Sequence, residues 1–149
     1  MNVGEVCNRI VVFAHPEESV REAARRMRDQ HVGNLVVVDE RELGRVPIGI
    51  VTDRDLVLEV LATGRDAHTA KVSDVMTRDL VTIEDTMDVE HGLERMRKHG
   101  IRRLPVVDRS GSLVGILTLD DVLELLEEQV SGLVRLVVQE QRREVEVRR

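Results

Sequence analysis

The sequence carries one pattern twice. Residues 6–39 set against residues 75–108, an offset of 69, bring Val6 to Val75, Arg9 to Arg78, Val12 to Val81 and Val20 to Val89. Arg26-Met27-Arg28 meets Arg95-Met96-Arg97, and Val37-Val38-Asp39 meets Val106-Val107-Asp108. The offset then drops to 66, where Gly49-Ile50-Val51-Thr52 matches Gly115-Ile116-Leu117-Thr118 and Asp55 matches Asp121. A change of offset confined to one connection, residues 40–48 against 109–114, is what an insertion in a hairpin loop produces. A duplicated unit must fold alike in both copies and bury its apolar face against its twin. One such unit, about sixty residues, would be marginal alone.

Each copy reads as β-α-β-β-α. Short apolar stretches at residues 10–13 and 80–83 read as strands. A helix follows, capped by Ser19 with Glu22 completing a capping box, and by Asp88 in the second copy. Val20, Ala23, Ala24 and Met27 form one buried stripe; Val89, Leu93 and Met96 form its counterpart. Residues 35–38 and 104–107 are β-branched-rich and read as buried strands. Pro105 fits best at the start or edge of its strand, because it cannot donate to a ladder. Residues 113–117 return as a hairpin partner after Ser110-Gly111. The closing helices run over residues 53–62, stopped near Gly64, and from Asp120 onward. The expectation is an α/β fold: two repeats packed sheet to sheet about a pseudo-twofold axis, with a C-terminal helical extension. Residues 1–64 form repeat 1, 65–73 a linker, 74–128 repeat 2, and 129–149 the extension. Leu126, Val130, Leu133, Val134 and Val137 follow helical spacing and cover either the chain's own core or a second subunit. Residues 141–149 are highly charged and expected to fray.

Composition narrows the function. Among 149 residues the net charge is −6, with one Phe, no Trp and no Tyr. That balance disfavours a nucleic-acid coat and removes the aromatic platform on which single-stranded bases stack. Twenty of the 22 basic residues are arginine, but they are scattered. The single cysteine, Cys7, excludes a disulfide framework, matches Met76 of the other copy, and reads as a small buried apolar residue. No histidine has a His or Cys partner at ligand spacing, and His91-x-x-Glu94 alone is a weak signal, so no metal is expected. No apolar run is long enough to cross a membrane, and a cytoplasmic protein is expected. No Ser-His-Asp, Cys-His, Walker or GxGxxG arrangement is present, so no enzyme is expected.

The repeated phrases carry a family likeness. Val72-Ser73-Asp74-Val75-Met76, Leu104-Pro105-Val106-Val107-Asp108, Gly49-Ile50-Val51-Thr52-Asp53-Arg54-Asp55 and Gly115-Ile116-Leu117-Thr118-Leu119-Asp120-Asp121 resemble the tandem cystathionine-β-synthase (CBS) domain pair, or Bateman module, over about residues 6–127. The resemblance implies a stand-alone regulatory sensor, not a catalyst, that binds an adenine nucleotide such as AMP, ADP or ATP between the repeats. S-adenosylmethionine and NAD are the alternative ligands. It also implies a symmetric homodimer acting on an unknown protein partner. A scaffold with degenerate pockets is the rival reading.

The site residues follow from that likeness. A carboxylate one turn into a helix can accept both hydroxyl hydrogens of a ribose diol, and the resemblance gives Asp55 and Asp121 this role, with Thr52 and Thr118 beside the sugar or phosphate. The same Thr-x-x-Asp spacing is also a capping pattern, and the two readings are compatible. Arg102 and Arg103, opposite Gly33 and Asn34 of the first copy, are the phosphate candidates, with Arg54 a further one. Asp120, where the first copy has Arg54, disfavours a triphosphate there. One site is therefore expected to be better than the other, holding a mono- or diphosphate. The adenine pocket is implied at Val12, Phe13, Val81, Thr82 and Ile83. Gly49 and Gly115 read as positions of close backbone packing.

Overall fold

The computed structural model describes residues 1–148. Its elements are α1 (Val3–Val6), β1 (Phe13–Ala14), α2 (Val20–Gln30), β2 (Asn34–Arg41), β3 (Gly44–Thr52) and α3 (Asp53–Leu56), then α4 (Val72–Val75), β4 (Ile83–Glu84), α5 (Val89–His99), β5 (Arg103–Val107), β6 (Leu113–Thr118) and α6 (Leu119–Val147). They make two three-stranded sheets, β1-β2-β3 and β4-β5-β6, each with one parallel and one antiparallel pairing. Both antiparallel ladders slip by one residue at matched places, between Val37 and Val38 and between Val106 and Val107.

The two copies exchange their leading arms. Val3 and Cys7, on the leading arm of repeat 1, are buried in the core of repeat 2 with Ile83, Leu104 and Leu117. Val72, Val75 and Met76, on the leading arm of repeat 2, are buried in the core of repeat 1 with Leu35, Val37 and Val51. The backbone contacts repeat with the sequence offset. Val3 and Gly4 donate to the carbonyls of Met87 and Asp85 at 2.7 and 2.8 Å, and Val72 and Ser73 donate to those of Glu18 and Pro16 at 2.9 and 3.0 Å. Asn8 exchanges two backbone bonds with Ile116, and Thr77 exchanges two with Ile50. Hence residues 9–12 and 78–81 bridge two sheets, and the strands expected at 10–13 and 80–83 shrink to β1 and β4. The stretch expected as a linker likewise contains the start of α4 and the buried Ala70.

Gly49 and Gly115 exist to admit those arms. A Cβ on Gly115 would lie 2.6 Å from Cys7 Sγ and 2.9 Å from the Asn8 carbonyl; one on Gly49 would lie 2.8 Å from the Thr77 carbonyl. Cys7 is buried as expected, and burial pushes its thiol pKa up. A second duplicated device closes each sheet edge. The Arg26 guanidinium donates to the Phe13 carbonyl at 2.8 Å, and Arg95 donates to the Thr82 carbonyl.

Four helices differ from the sequence reading. Ser19 accepts from the Glu22 N–H at 3.2 Å, but the Glu22 side chain pairs with Arg25 at 3.5 Å and leaves the capping box half made. Asp88 holds the N-cap position without a side-chain cap bond. The helix expected over 53–62 widens after α3 into π-helical turns at Val57–Leu61, where the Ala62 N–H reaches the Val57 carbonyl at 2.9 Å. That widening buries Val60 and leaves Val57, Leu58 and Leu61 exposed. The longer β2–β3 hairpin reaches repeat 2, where the Ser112 hydroxyl donates to the Leu43 carbonyl at 3.1 Å. Residues expected to fray from Gln141 stay helical to Val147. They are rich in the helix formers Glu, Gln and Arg, with opposite charges at three- and four-residue spacing.

Gly115→Val should force Cys7 and the Asn8 backbone out of repeat 2 and cost about 2–3 kcal/mol, measured by urea unfolding; an unchanged midpoint would remove the close-approach argument. A pH dependence also follows. Burial alone would raise the Glu18 carboxyl, but the bidentate Arg26 bonds at 2.8 and 3.0 Å and the nearby His15 outweigh it and hold the pKa below the ordinary value. A carboxylate depressed by folding adds stability while ionised, and that stability is lost as pH falls through the folded value. Melting temperatures of the parent and Glu18→Gln should therefore differ at neutral pH and converge in acid.

Candidate functional site

The Thr77 arm, on its way from β3 to β4, leaves a cavity of about 280 Å³ between the repeats. Its floor is aliphatic, made by Ile50 of repeat 1 and Leu80, Val81 and Ile101 of repeat 2. Its polar rim carries Thr52 from the β3–α3 junction, Asp79 on the arm, and Arg102 with Arg103 where β5 begins. Of the residues expected to bind ligand, the fold thus brings together Thr52, Val81, Arg102 and Arg103 across the repeat boundary. Arg103 is half-buried there, while Arg102 is largely exposed and 3.4 Å from the equally exposed Asp120. Such an exposed pair is weak and easily exchanged for another anion.

Asp55 and Asp121 are half-buried, and each is engaged with its own helix start. The Thr52 N–H donates to Asp55 Oδ2 at 2.8 Å while the Asp55 N–H donates to Thr52 Oγ1 at 3.1 Å. Thr118 and Asp121 make the same reciprocal pair, both bonds at 3.1 Å. The capping reading is therefore realised in both copies. It occupies one carboxylate oxygen, and among the described residues no donor reaches the other. Asp55 stands one turn behind Thr52 and does not itself line the cavity. Asp121 lines a separate hollow with Glu5, Glu124 and Glu128, a cluster of carboxylates that repels phosphate.

The remaining candidates divide. Arg54 is exposed and lies outside the cavity. Ile83 is core, packed with Leu104 and Leu117, and the Thr82 carbonyl is taken by Arg95. Phe13 has Arg45 over its ring at 4.2 Å and His15 against its edge, and with Val12 it lines a different hollow, on repeat 1 alone. Val81 is distinguished from Val12 by one substitution. In repeat 1 the Val36 N–H donates to the Val12 carbonyl at 3.3 Å. The position of Val36 is Pro105 in repeat 2, which has no N–H to give, so the carbonyl of Val81, a residue of the cavity lining, has no partner among the described residues. Pro105 sits in a central strand, tolerated because β4 pairs only from Val106 onward.

Sequence reasoning missed Ile50, Thr77, Asp79, Leu80 and Ile101. Their signal was the offset itself: residues ahead of one repeat belong spatially to the other. Among the described residues no group of three His, Cys, Asp or Glu side chains is placed to hold a metal ion, and no helix is long and apolar enough to cross a membrane.

The CBS domain model matches residues 3–62 and 72–128. The chain is 40% identical over 112 residues to the CBS domain-containing protein YhcV of Bacillus subtilis, covering 75% of this chain and 76% of that one. It is 39% identical over 125 residues to protein MK0525 of Methanopyrus kandleri, covering 84% of this chain and 62% of that protein's length, less than two thirds. Among solved structures, the CBS domain pair of protein MJ0100, in complex with 5'-methylthioadenosine and S-adenosyl-L-methionine, superposes with a TM-score of 0.73 at 29% identity, covering 87% of this chain and 98% of that one. With both repeats matched, the fold shared and the arms exchanged, the chain belongs to the CBS domain family as a tandem pair.

Proposed function

We propose that this pair is a regulatory sensor that binds an adenosine-containing ligand in the cleft between Thr52 and the Leu80–Val81 arm, with an adenine nucleotide of one or two phosphates fitting best. The observation that carries the reading is the meeting of three chemistries from two repeats. An aliphatic floor suits a purine face, the free Val81 carbonyl can accept from an exocyclic amine, and the Arg102–Arg103 pair suits phosphate oxygens. Asp55, with one carboxylate oxygen uncommitted, is the ribose candidate. Asp121 among Glu5, Glu124 and Glu128 makes the other half of the molecule a poor phosphate site. Regulation requires that the ligand favour one inter-repeat packing over another. The cleft spans that boundary, so any difference in packing changes its width. A symmetric homodimer conveying the change to a protein partner completes the proposal.

S-adenosylmethionine is a second reading, favoured by Asp79 beside the arginines, which together suit its cationic sulfonium and amino-acid carboxylate; methylthioadenosine, an uncharged thioether, would rest on the aliphatic lining alone. The MJ0100 pair in complex with these compounds supports it.

Ligand at about 100 times its dissociation constant adds about 2.7 kcal/mol, which for a chain of this size raises the melting temperature by roughly 5–10 °C. Melts with AMP, ADP, ATP, S-adenosylmethionine, methylthioadenosine and NAD at millimolar concentration should show such a shift for at least one. Arg103→Ala should abolish it for nucleotides, and Asp55→Asn, which keeps a cap acceptor, should weaken it. A flat response to every compound supports a scaffold and ends the sensor reading. Pro105→Val should restore the N–H that repeat 1 has at Val36, engage the Val81 carbonyl, and weaken binding while the unliganded protein keeps or gains stability. Unchanged affinity would show that the Val81 carbonyl does not contact the ligand.

A further inference from the structure

Helix α6 is longer than its repeat can cover. Val122 is buried in repeat 2 with Leu119 packed against it, yet from Leu126 to Arg148 every residue is exposed except the half-buried Ser131. Most helical stability in proteins comes from packing an amphipathic face, and the uncovered apolar face of α6 is a candidate interaction surface. The face has a specific period. Leu123, Leu126, Val130, Leu133 and Val137 recur at alternating spacings of three and four, and each is between 47 and 64% exposed. That is the seam of a coiled coil, with leucine at 123, 126 and 133 and valine at 130 and 137.

We propose that this seam pairs with the same seam of a second copy, the two helices antiparallel about a twofold axis between residues 131 and 132. The pairing stacks Val130 of each helix on Leu133 of the other and Leu126 on Val137. Charge sets the direction. Continuing the seam past Val137 brings Glu140 and then Glu144, and parallel helices would press each of these carboxylates against its own copy. Antiparallel helices separate the two Glu140 carboxylates and set each opposite Leu123 of the other helix, at the end of the seam. They also lay the acidic first part of α6, where Asp120, Asp121, Glu124, Glu127 and Glu128 lie without a basic residue, along the part that carries Arg135, Arg142 and Arg143. This pairing is independent of what the cleft binds.

Disulfide trapping in the full-length chain tests it. Leu126→Cys and Val137→Cys are prepared separately on the parent, whose Cys7 is buried and serves as the uncrosslinked control. Mixed and oxidised, the two variants should give a crosslinked dimer that neither gives alone, and Leu133→Glu added to both should abolish it. Crosslinking of each variant by itself would reveal parallel helices and overturn the proposal. No crosslink in the mixture, or one that survives Leu133→Glu, would overturn it as well.

Discussion

The exchange of leading arms is the contact on which the rest of the molecule depends. Neither repeat closes its core from its own sixty residues. Val3 and Cys7 fill repeat 2, and Val72, Val75 and Met76 fill repeat 1. Because each arm must then return to its own sheet, it crosses the boundary as an extended bridge. The bridge after Thr77 is the wall of the cleft. Core completion and site formation are thus one event, and a change that dislodges an arm removes the cavity along with the stability.

The duplication was legible because it is written in residue identities. The offset of 69 recurs in the arm hydrogen bonds, and the drop to 66 recurs in the register of Asn8 with Ile116 and Thr77 with Ile50. The roles of Gly49 and Gly115 as close-approach positions were legible too, since only the smallest residue suits a strand crossed by another backbone. The exchange was not. Periodicity reports which face of an element is buried but not which core buries it, so Ala70 and Val72 read as linker and residues 10–13 as plain strand.

The site was legible in part for the same reason. Thr52, Arg102 and Arg103 could be named from the matched segments, but their convergence from opposite repeats needed the crossing. Phe13 illustrates the limit. The family likeness implied an adenine pocket at Phe13, yet Phe13 lines a hollow on repeat 1 alone and Arg45 lies over its ring at 4.2 Å. The proline at 105 shows the opposite. Its missing donor looked like a fault in a strand, and its effect is to leave a carbonyl open at the cleft that repeat 1 keeps closed.

An aliphatic cleft in a chain without tryptophan or tyrosine has an optical consequence. The polypeptide is nearly transparent in the near ultraviolet, so a purine seated on Ile50, Leu80 and Val81 would be the chief chromophore of the complex. Nucleotide carried through purification would dominate the absorption spectrum at 260 nm, unmasked by any protein band.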